Sequence, residues 1–391
     1  MGTIKFSRMT ALTTFSAIVA LAAWSGTIGG LIAAPLLVLA WRHARSRLEA
    51  FAVCLAYYLA AGRGLFRGAS VFFGEDSGIP PWLSGASIWI TPSVLLAAAW
   101  ALAWSTLHRG VRLVCLLLVV SLPPLGVFGW ANPITSAGAL FPGMGWVGLG
   151  LTVSILYVLA HHKRPLFASL PFAVLALTVN LISDAPSPGK WVGVDTHIGS
   201  ARDSFGEFDR LQAVKEVLAR SRLQHPDGVV FVLPELVGGD WSMNRIWWDS
   251  EAAELASSGQ TVLIGAYLPR AQNRRYVNAL VSIGAEPGRV LVDRVPVPIS
   301  MWRPFASTGA LAYWTHSGVA DVGGKRIATL ICYEQLLVWP ALLSSAYSPD
   351  IYVGSANDWW ARDTSIPDIQ REVTGAWARL FGKPFVWAHN V

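Results

Sequence analysis

Three side chains that can perform acyl chemistry stand at the ends of apolar segments in the C-terminal half of the chain. Glu235 ends the segment VVFVLPE, Cys332 ends RIATLIC, and Arg294 ends RVLVDR. In α/β sheets, reactive groups gather just beyond the carboxyl ends of the strands. A carboxylate there can take the proton of a thiol, the thiolate can attack an acyl carbon, and a cation can stabilise the developing oxyanion. We therefore predict Glu235, Cys332 and Arg294 as a catalytic set.

Each of these residues also has a purely structural interpretation. A glutamate at a strand end is often solvated or caps a helix, and a lone cysteine often behaves as a small buried hydrophobic residue. Arg294 follows Asp293 and could form a simple ion pair with it. Cys54 and Cys115 lie in apolar runs of the first half, so Cys332 is the lone thiol of the polar half, either a buried spectator or a reactive group.

The polar half of the chain alternates strand and helix patterns. Phe208–Leu223 has apolar residues at helical spacing, and Leu336–Ala346 and Ile366–Phe381 are further predicted helices. Gly323 and Gly324 separate two short apolar segments, which is typical of a hairpin. The pattern predicts an α/β sandwich. The predicted strands are Trp191–Ile198, Gly228–Leu233, Thr261–Gly265, Tyr276–Ile283, Arg289–Val292, Val319–Val322, Arg326–Ile331, Asp350–Gly354 and Phe385–Ala388.

The first half of the chain has a different composition. Over all 391 residues, 53% are hydrophobic and 14% are charged, whereas a typical soluble domain carries about 25% charged residues. These values exclude a disordered chain, a disulfide-stapled secreted scaffold and an ordinary soluble enzyme. Residues 1–188 hold 11 Lys/Arg and 4 Asp/Glu, and the remainder holds 19 and 20. The net positive charge therefore belongs to the first half and does not indicate a nucleic-acid-binding face.

Apolar runs in residues 1–188 predict a membrane domain of about seven transmembrane helices, because a helix of about 20 apolar residues crosses a bilayer. The alternative is a buried helical core in a soluble protein, which seven successive runs disfavour. The runs are Met9–Trp24, Thr27–Trp41, Leu48–Leu65, Ile88–Leu107, Leu113–Ala131, Ala137–Ala160 and Leu166–Ile182.

Charged residues between the runs predict their orientation. Basic groups precede run one and follow runs two, four and six, and an acidic pair follows run three. Because cytoplasmic loops are enriched in Lys and Arg, we expect a cytoplasmic N-terminus, a multi-pass bacterial inner-membrane protein and a periplasmic C-terminal domain. The basic groups are Lys5 with Arg8, Arg42–Arg47, His108–Arg112 and His161–Arg164, and the acidic pair is Glu75 with Asp76.

The segment Gly324–Glu334, GKRIATLICYE, resembles the cysteine segment of the nitrilase (carbon–nitrogen hydrolase) superfamily, most closely that of its apolipoprotein N-acyltransferase branch. VVFVLPE resembles the glutamate segment of this family, and Gly354–Trp360, GSANDWW, resembles its SND-W stretch. The resemblance covers about Trp191–Asn390 and implies an αββα sandwich over residues 189–391. Within the branch, the sequence resembles the TraB group of conjugative plasmids, which implies a role in conjugal transfer.

The resemblance implies a role for each matching residue. Glu235 would be the general base, and Cys332 would form a thioester with an acyl chain taken from a phospholipid. An amine, such as a lipoprotein N-terminus, would then accept the acyl group. Tyr333 and Glu334, which follow the cysteine, would support the site.

Two positions depart from the family pattern. The family has a lysine where the alignment gives Arg294, and arginine does not readily donate and recover a proton. Met301 lies about where the family loop carries a glutamate. Activity could therefore be reduced, redirected or lost. The acyltransferase branch also continues into a further strand and a last membrane helix, so a sequence that stops at Val391 is expected to be anchored at one end only.

Eleven of the 19 tryptophans lie beyond residue 190, and Trp247, Trp248 and Trp302 are candidates for contact with a lipid interface. The histidines lack metal-ligand spacing, and phosphate-binding loops are not found, so the sequence predicts neither a metal nor an organic cofactor. Three functions remain open: a membrane acyltransferase with a Cys332 thioester, a membrane-tethered amidase that uses water as acceptor, and a non-catalytic conjugation accessory protein.

Overall fold

The structure is a computed structural model that describes residues 2–74, 78–200, 206–270 and 274–391, with side chains from residue 8 onward. The predicted acidic pair Glu75 and Asp76 lies outside the described residues. The chain divides into two compact units. The first contains Met1–Ala185, Leu336–Trp339 and Asp363–Gly382, and the second contains Pro186–Gln335, Pro340–Arg362 and Lys383–Val391.

The first unit is helical. Its aromatic core joins neighbouring helices: Trp24 Nε1 donates to the hydroxyl of Tyr57 (2.9 Å), and Trp100 Nε1 donates to that of Tyr58 (2.8 Å). The N-terminal helices are α1 (Gly2–Ala23), α2 (Leu37–Arg42), α3 (Arg47–Ala61), α4 (Arg63–Phe73), α5 (Pro81–Ala103), α6 (Arg109–Ser121), α7 (Ala137–Leu140), α8 (Gly145–His161), α9 (Pro165–Ala168) and α10 (Leu170–Ile182). Short 3₁₀ helices occupy Gly30–Leu36, Leu125–Phe128 and Pro133–Ser136.

Few of these helices are long enough to cross a bilayer. Among the described residues, α5 alone has the length and composition of a span, and α3 with α4 would count as a second span that is bent by 55°. The shorter apolar helices cover Arg8–Ala23, Gly30–Arg42, Gly145–His161 and Leu170–Ile182. A membrane domain with seven spans is therefore not confirmed.

Prolines and glycines explain why the helices in runs five and six, α6 and α8, are shorter than the apolar runs themselves. Run five ends as a helix at Ser121, because Pro123 and Pro124 follow and proline removes a backbone donor. Run six is interrupted before α8 by Pro142 and by Gly143, whose φ is +74°. Apolar composition therefore predicted where helices lie, but not how long each one is.

The second unit alternates strands and helices. The helices are α11 (Glu207–Gln224), α12 (Trp241–Asn244), α13 (Asp249–Ser257) and α14 (Val338–Ser345). The strands are β1 (Trp191–Gly193), β2 (Val230–Val232), β3 (Thr261–Pro269), β4 (Arg275–Gly284), β5 (Val290–Val292), β6 (Gly309–Ala310), β7 (Val319–Val322), β8 (Lys325–Ile331), β9 (Ile351–Asn357) and β10 (Phe385–Asn390). Further 3₁₀ helices cover Arg245–Trp248, Cys332–Leu336 and Trp359–Ala361.

The strands form two sheets. One has the order β1-β2-β3-β4-β5, with β6 paired to β4, and the other has the order β10-β9-β8-β7. Strands β1, β2 and β3 are parallel, as are β8, β9 and β10. The carboxyl ends of β2 and β8, which carry the predicted base and nucleophile, are thus the ends where α/β proteins build their sites.

The two sheets face each other across one hydrophobic core. Val232 and Leu263 from the first sheet share this core with Ile331 and Val353 from the second. Helices α11 and α13 cover the outer face of the first sheet. On the outer face of the second sheet, Ser345 of α14 lies 2.6 Å from the Tyr352 hydroxyl. These layers have the order αββα.

The last helix, α15 (Ile366–Leu380), belongs to the first unit, although the surrounding strands β9 and β10 belong to the second. Within the first unit, Arg379 Nη2 donates to Asn180 Oδ1 (2.7 Å), and Glu372 Oε2 accepts from the Gly26 backbone N–H (3.1 Å). The second unit begins at Pro186, close to the domain start predicted at residue 189, but composition did not predict that α15 joins the first unit.

Candidate active site

Glu235 lies just beyond β2 and is buried, with 2% of its surface exposed. Pairing with β3 continues past Val232: the Leu233 N–H donates to the Leu263 carbonyl (2.8 Å). A Cβ atom at Gly265 would come within 2.4 Å of the Glu235 Cα. Glycine at this position of β3 therefore lets the glutamate segment pack directly against the strand.

Cys332 stands at the sharp turn between β8 and the 3₁₀ helix Cys332–Leu336. Its φ is +47°, in the left-handed region that non-glycine residues seldom occupy. Such backbone strain persists only where surrounding structure holds it, and it is concentrated at functional sites. The turn presents the thiol at the carboxyl end of the sheet, as the predicted role of a nucleophile requires.

The structure brings Cys332 and Glu235 together, with the thiol hydrogen-bonded to the carboxylate. Asn278 Nδ2 donates to Glu235 Oε1 (2.6 Å), and the Asn357 backbone N–H also donates to this carboxylate. Burial raises the pKa of Glu235 to about 7, and the hydrogen bonds from Cys332 and Asn278 oppose that rise. A carboxylate with this pKa can act as a general base near neutrality.

The thiol itself is held in its protonated form. Burial raises the pKa of Cys332 well above its ordinary value, and the charges of Glu235 and Asp358 raise it further. The resting site therefore contains a thiol rather than a thiolate, unlike cysteines activated by a nearby cation. Attack by Cys332 requires transfer of its proton to Glu235 as the new bond forms.

Arg294 is buried, and its guanidinium faces Glu334. Nε and Nη2 donate to the two oxygens of Glu334 at 3.0 and 3.1 Å, and the Arg294 backbone N–H donates to the same carboxylate. The further acceptors of the guanidinium are the carbonyls of Ser317, Thr329 and Pro340 and the hydroxyl of Ser344. All five guanidinium donors are thus engaged, which does not support the predicted role of Arg294 as the oxyanion cation.

Asp293, the residue before Arg294, is buried and shares a hydrogen-bond donor with Glu235. Asn278 Nδ2 donates to Asp293 Oδ2 (2.9 Å) as well as to Glu235, and the Val295 N–H donates to Asp293 Oδ1 (3.0 Å). Burial raises the pKa of Asp293 well above its ordinary value, and the charges of Glu334 and Glu235 add to the rise. The charged groups that most affect Cys332 are therefore carboxyl groups.

Glu334 and Tyr333 differ in how they support the site. Glu334 is fully buried, binds Arg294 through both oxygens, and accepts from the Ile331 N–H (3.2 Å), so it holds the turn at Cys332. Tyr333, directly after Cys332, is partly buried. Among the described residues, no group of His, Cys, Asp and Glu is arranged to hold a metal ion.

The three tryptophans predicted at a lipid interface differ in exposure. Trp247 is 49% exposed and packs edge-on against Phe208. Trp248 is only 1% exposed, and it packs in the core beneath α11, so its prediction as an interface residue is wrong. Adjacent residues of a 3₁₀ helix face different directions, and the sequence did not indicate which one faces inward. Trp302 is partly buried and contacts Trp314 edge-on.

Sequence reasoning gave too little weight to three polar residues. Asn278 lies within the buried strand YVNALV, where a polar residue needs a partner, and that pattern was its signal. Asp293 was considered only as a partner of Arg294, whereas Arg294 pairs with Glu334. Asp358, in the GSANDWW stretch, affects the pKa of both Glu235 and Cys332.

Comparison with known proteins gives the family. The carbon–nitrogen hydrolase family model matches residues 269–379. The probable conjugal transfer protein TraB of Sinorhizobium fredii is 36% identical over 97% of both chains. The conjugal transfer protein TraB of Agrobacterium fabrum is 34% identical over 98% of this chain and 93% of its own length.

This chain belongs to the TraB family of conjugal transfer proteins. Its C-terminal half contains a carbon–nitrogen hydrolase domain, so the family predicted from the cysteine and glutamate segments is confirmed. Solved structures with a related chain trace include a carbon–nitrogen hydrolase from Helicobacter pylori, with 13% identity, a TM-score of 0.37, and coverage of 50% of this chain and 71% of that one. Another is an amidase from Nesterenkonia sp., with 12% identity, a TM-score of 0.31, and coverage of 43% and 63%.

Proposed function

We propose that this TraB family member is a membrane-bound acyltransferase that acts in conjugal transfer through a thioester on Cys332. The observation that carries the proposal is the hydrogen bond between the Cys332 thiol and Glu235, whose pKa is raised to about 7 by burial. A thiol that is hydrogen-bonded to a base, on a strained turn at a strand end, has the arrangement of a covalent acyl-transfer site.

In the proposed reaction, Cys332 Sγ attacks the ester carbonyl of a phospholipid while Glu235 takes the thiol proton. Collapse of the tetrahedral intermediate releases the lipid alcohol, which receives that proton from Glu235. An amine, such as a lipoprotein N-terminus, then attacks the thioester and passes a proton to Glu235. Glu235 returns the proton to the sulfur, and the product is an amide.

Exposed apolar side chains support a membrane location. Leu102 of α5 and Leu177 and Leu181 of α10 are more than 60% exposed, and a bilayer would remove such surfaces from water. The distribution of basic residues supports a cytoplasmic N-terminus and a periplasmic C-terminal domain. Exposed Trp247 would suit contact with lipid headgroups.

A non-catalytic role in conjugation is the second candidate, and one observation favours it. Arg294 is committed to Glu334, and the carboxyl group of Asp293 lies beside the reacting pair. Because carboxylates oppose thiolate formation, this site would react slowly unless another group balances their charge.

The two candidates differ in what becomes attached to Cys332. The full chain in vesicles of phospholipid with deuterated acyl chains should acquire one such chain on Cys332, detected by peptide mass spectrometry. Addition of a lipopeptide with a free N-terminal amine should remove the chain from Cys332 and yield the N-acylated peptide. Cys332→Ala should abolish both signals, and the control Cys115→Ala, at an exposed cysteine, should preserve them.

The outcome that favours the non-catalytic role is equally specific. It consists of an unmodified Cys332 in the vesicle experiment together with parental mating frequency in a donor strain that carries Cys332→Ala. That combination would remove the acyltransferase proposal.

A further inference from the structure

Three titratable side chains form a row from the surface to the reacting pair. Asp195 has 46% of its side chain exposed, His389 has 18%, and Asp358 has none. His389 Nε2 lies 4.0 Å from Asp195 Oδ2, and His389 Nδ1 lies 3.6 Å from Asp358 Oδ2. The imidazole is thus placed between a half-exposed and a fully buried carboxyl group.

The backbone holds this row in place. His389 lies on β10, and its backbone N–H donates to Asp195 Oδ1 (3.0 Å). The Asp358 N–H donates to the carbonyl of Asn390 (2.7 Å), which ties the end of β9 to β10. The imidazole ring also packs against Trp387, with ring centroids 4.3 Å apart and the ring planes tilted by 38°. His389 is therefore held between the two carboxyl groups by its strand and by one aromatic neighbour.

Asp358 connects this row to the catalytic pair. Its charge raises the pKa of both Glu235 and Cys332. Among the described residues, neither oxygen of Asp358 accepts a hydrogen bond, and His389 Nδ1 lies 3.6 Å from Oδ2. Burial raises the pKa of Asp358, whereas His389 lowers it. The imidazole is thus the group that can offset the negative charge of Asp358.

The charged groups that the structure describes beside the row are carboxyl groups. Asp195, after β1, and Asp358, after β9, face the imidazole. Beyond Asp358 lie Glu235 and the Cys332 thiol. The guanidinium of Arg294 is neutralised by Glu334. Histidine is the side chain that gains a positive charge near neutrality, so among the described residues His389 is placed to supply a positive charge that offsets Asp358.

We propose that His389 is a positioning residue whose protonation neutralises Asp358 and thereby allows the Cys332 thiol to release its proton to Glu235. In its neutral form, His389 leaves the charge of Asp358 uncompensated, and the thiol keeps its proton. The proposal deepens the proposed function, since it assigns the source of positive charge for the same thiol. It also predicts that reactivity at Cys332 depends on the protonation of a residue that does not touch the substrate.

The test is the pH dependence of Cys332 alkylation by iodoacetamide in the full chain, measured by peptide mass spectrometry as the alkylated fraction of the Cys332 peptide. His389→Asn should slow alkylation of Cys332 about tenfold at pH 6.5, which corresponds to a rise of one unit in the thiol pKa. At pH 9 the two rates should agree within twofold, because the proposed effect needs an imidazolium.

A purely structural role gives a different result. If His389→Asn only altered access to the thiol, the two rates would differ by the same factor at every pH, and that result, or identical profiles, would overturn the proposal. Asp195→Asn provides a second variant: it weakens the hold on the imidazolium, and it should slow alkylation at pH 6.5 by a smaller factor. Because this readout needs no acyl donor, it remains informative if the vesicle experiment finds no acyl transfer.

Discussion

Glu235→Gln should slow the acylation of Cys332 by p-nitrophenyl butyrate by a factor of about 10² to 10⁴, the usual contribution of a general base. Glutamine retains the shape of the side chain and an oxygen that can accept from Asn278 Nδ2, but it cannot take the thiol proton. Stopped-flow measurement of nitrophenol release gives the acylation rate.

The raised pKa of Glu235 also predicts how the acylation rate depends on pH. The base is active as the carboxylate, and its pKa is raised to about 7, so the ratio of the parental acylation rate to that of Glu235→Gln should rise with pH through that value. The ratio isolates the base, because both chains contain His389 and share its contribution. Glu254→Gln, at an exposed glutamate paired with Arg222, is the control and should match the parent. Equal acylation rates in the parent and Glu235→Gln would remove Glu235 from the mechanism.

Arg294→Met should lower the free energy of unfolding by about 3–5 kcal/mol, the typical cost of leaving one partner of a buried ion pair uncompensated. The substitution would strand the Glu334 carboxylate and remove the donors bound by the carbonyls of Ser317, Thr329 and Pro340. Arg294→Lys should also destabilise the protein, because an ammonium group has three donors where the guanidinium uses five. Denaturant titration followed by tryptophan fluorescence measures the change.

Two matched comparisons test whether the loss of stability is specific to the surroundings of Arg294 or would follow any substitution in the protein. Arg326→Ala removes an exposed ion pair with Asp321 and should cost less than about 1 kcal/mol. Gly318→Ala places a Cβ 2.4 Å from Arg294 Cζ, whereas Gly324→Ala meets no atom within 4 Å, although both glycines have a positive φ. Gly318→Ala should therefore be the more destabilising of the two. Parental stability of Arg294→Lys would instead revive the predicted catalytic role of this arginine.

Local patterns predicted most of the second unit. The helix predicted at Phe208–Leu223 is α11, Glu207–Gln224, because its apolar spacing matches the face that packs on the sheet. Gly323 and Gly324 both have positive φ between the antiparallel strands β7 and β8, as the hairpin required. The predicted first strand, Trp191–Ile198, is shorter, since the chain leaves β2 after Gly193 and Thr196 instead bridges to Asn390.

The sequence pattern did not predict the direction in which individual side chains point. Alternation along an extended chain sends neighbours to opposite sides, so a one-residue difference decides whether Asp293 or Arg294 faces Glu235. Apolar spacing does not distinguish these two residues, because both are polar and both are buried. The partner of Arg294 is Glu334, 40 residues away, and only the tertiary fold brings the two together.

In the first unit, the long apolar runs did not predict where each helix begins and ends. They locate most of the helices but not α4, which lies largely beyond run three, and the breaks at Gly62 and Pro142 depend on how the segments pack. The membership of α15 in this unit rests on contacts such as Arg379 with Asn180, which local sequence does not encode.

The most direct test of the account is the amount and location of label after one turnover with p-nitrophenyl butyrate. The account predicts a burst of about one nitrophenol per chain, with the butyryl group on the peptide that contains Cys332 and with no burst in Cys332→Ala. A burst of unchanged size in Cys332→Ala, or a parental chain that releases no nitrophenol and carries no butyryl group, would contradict it.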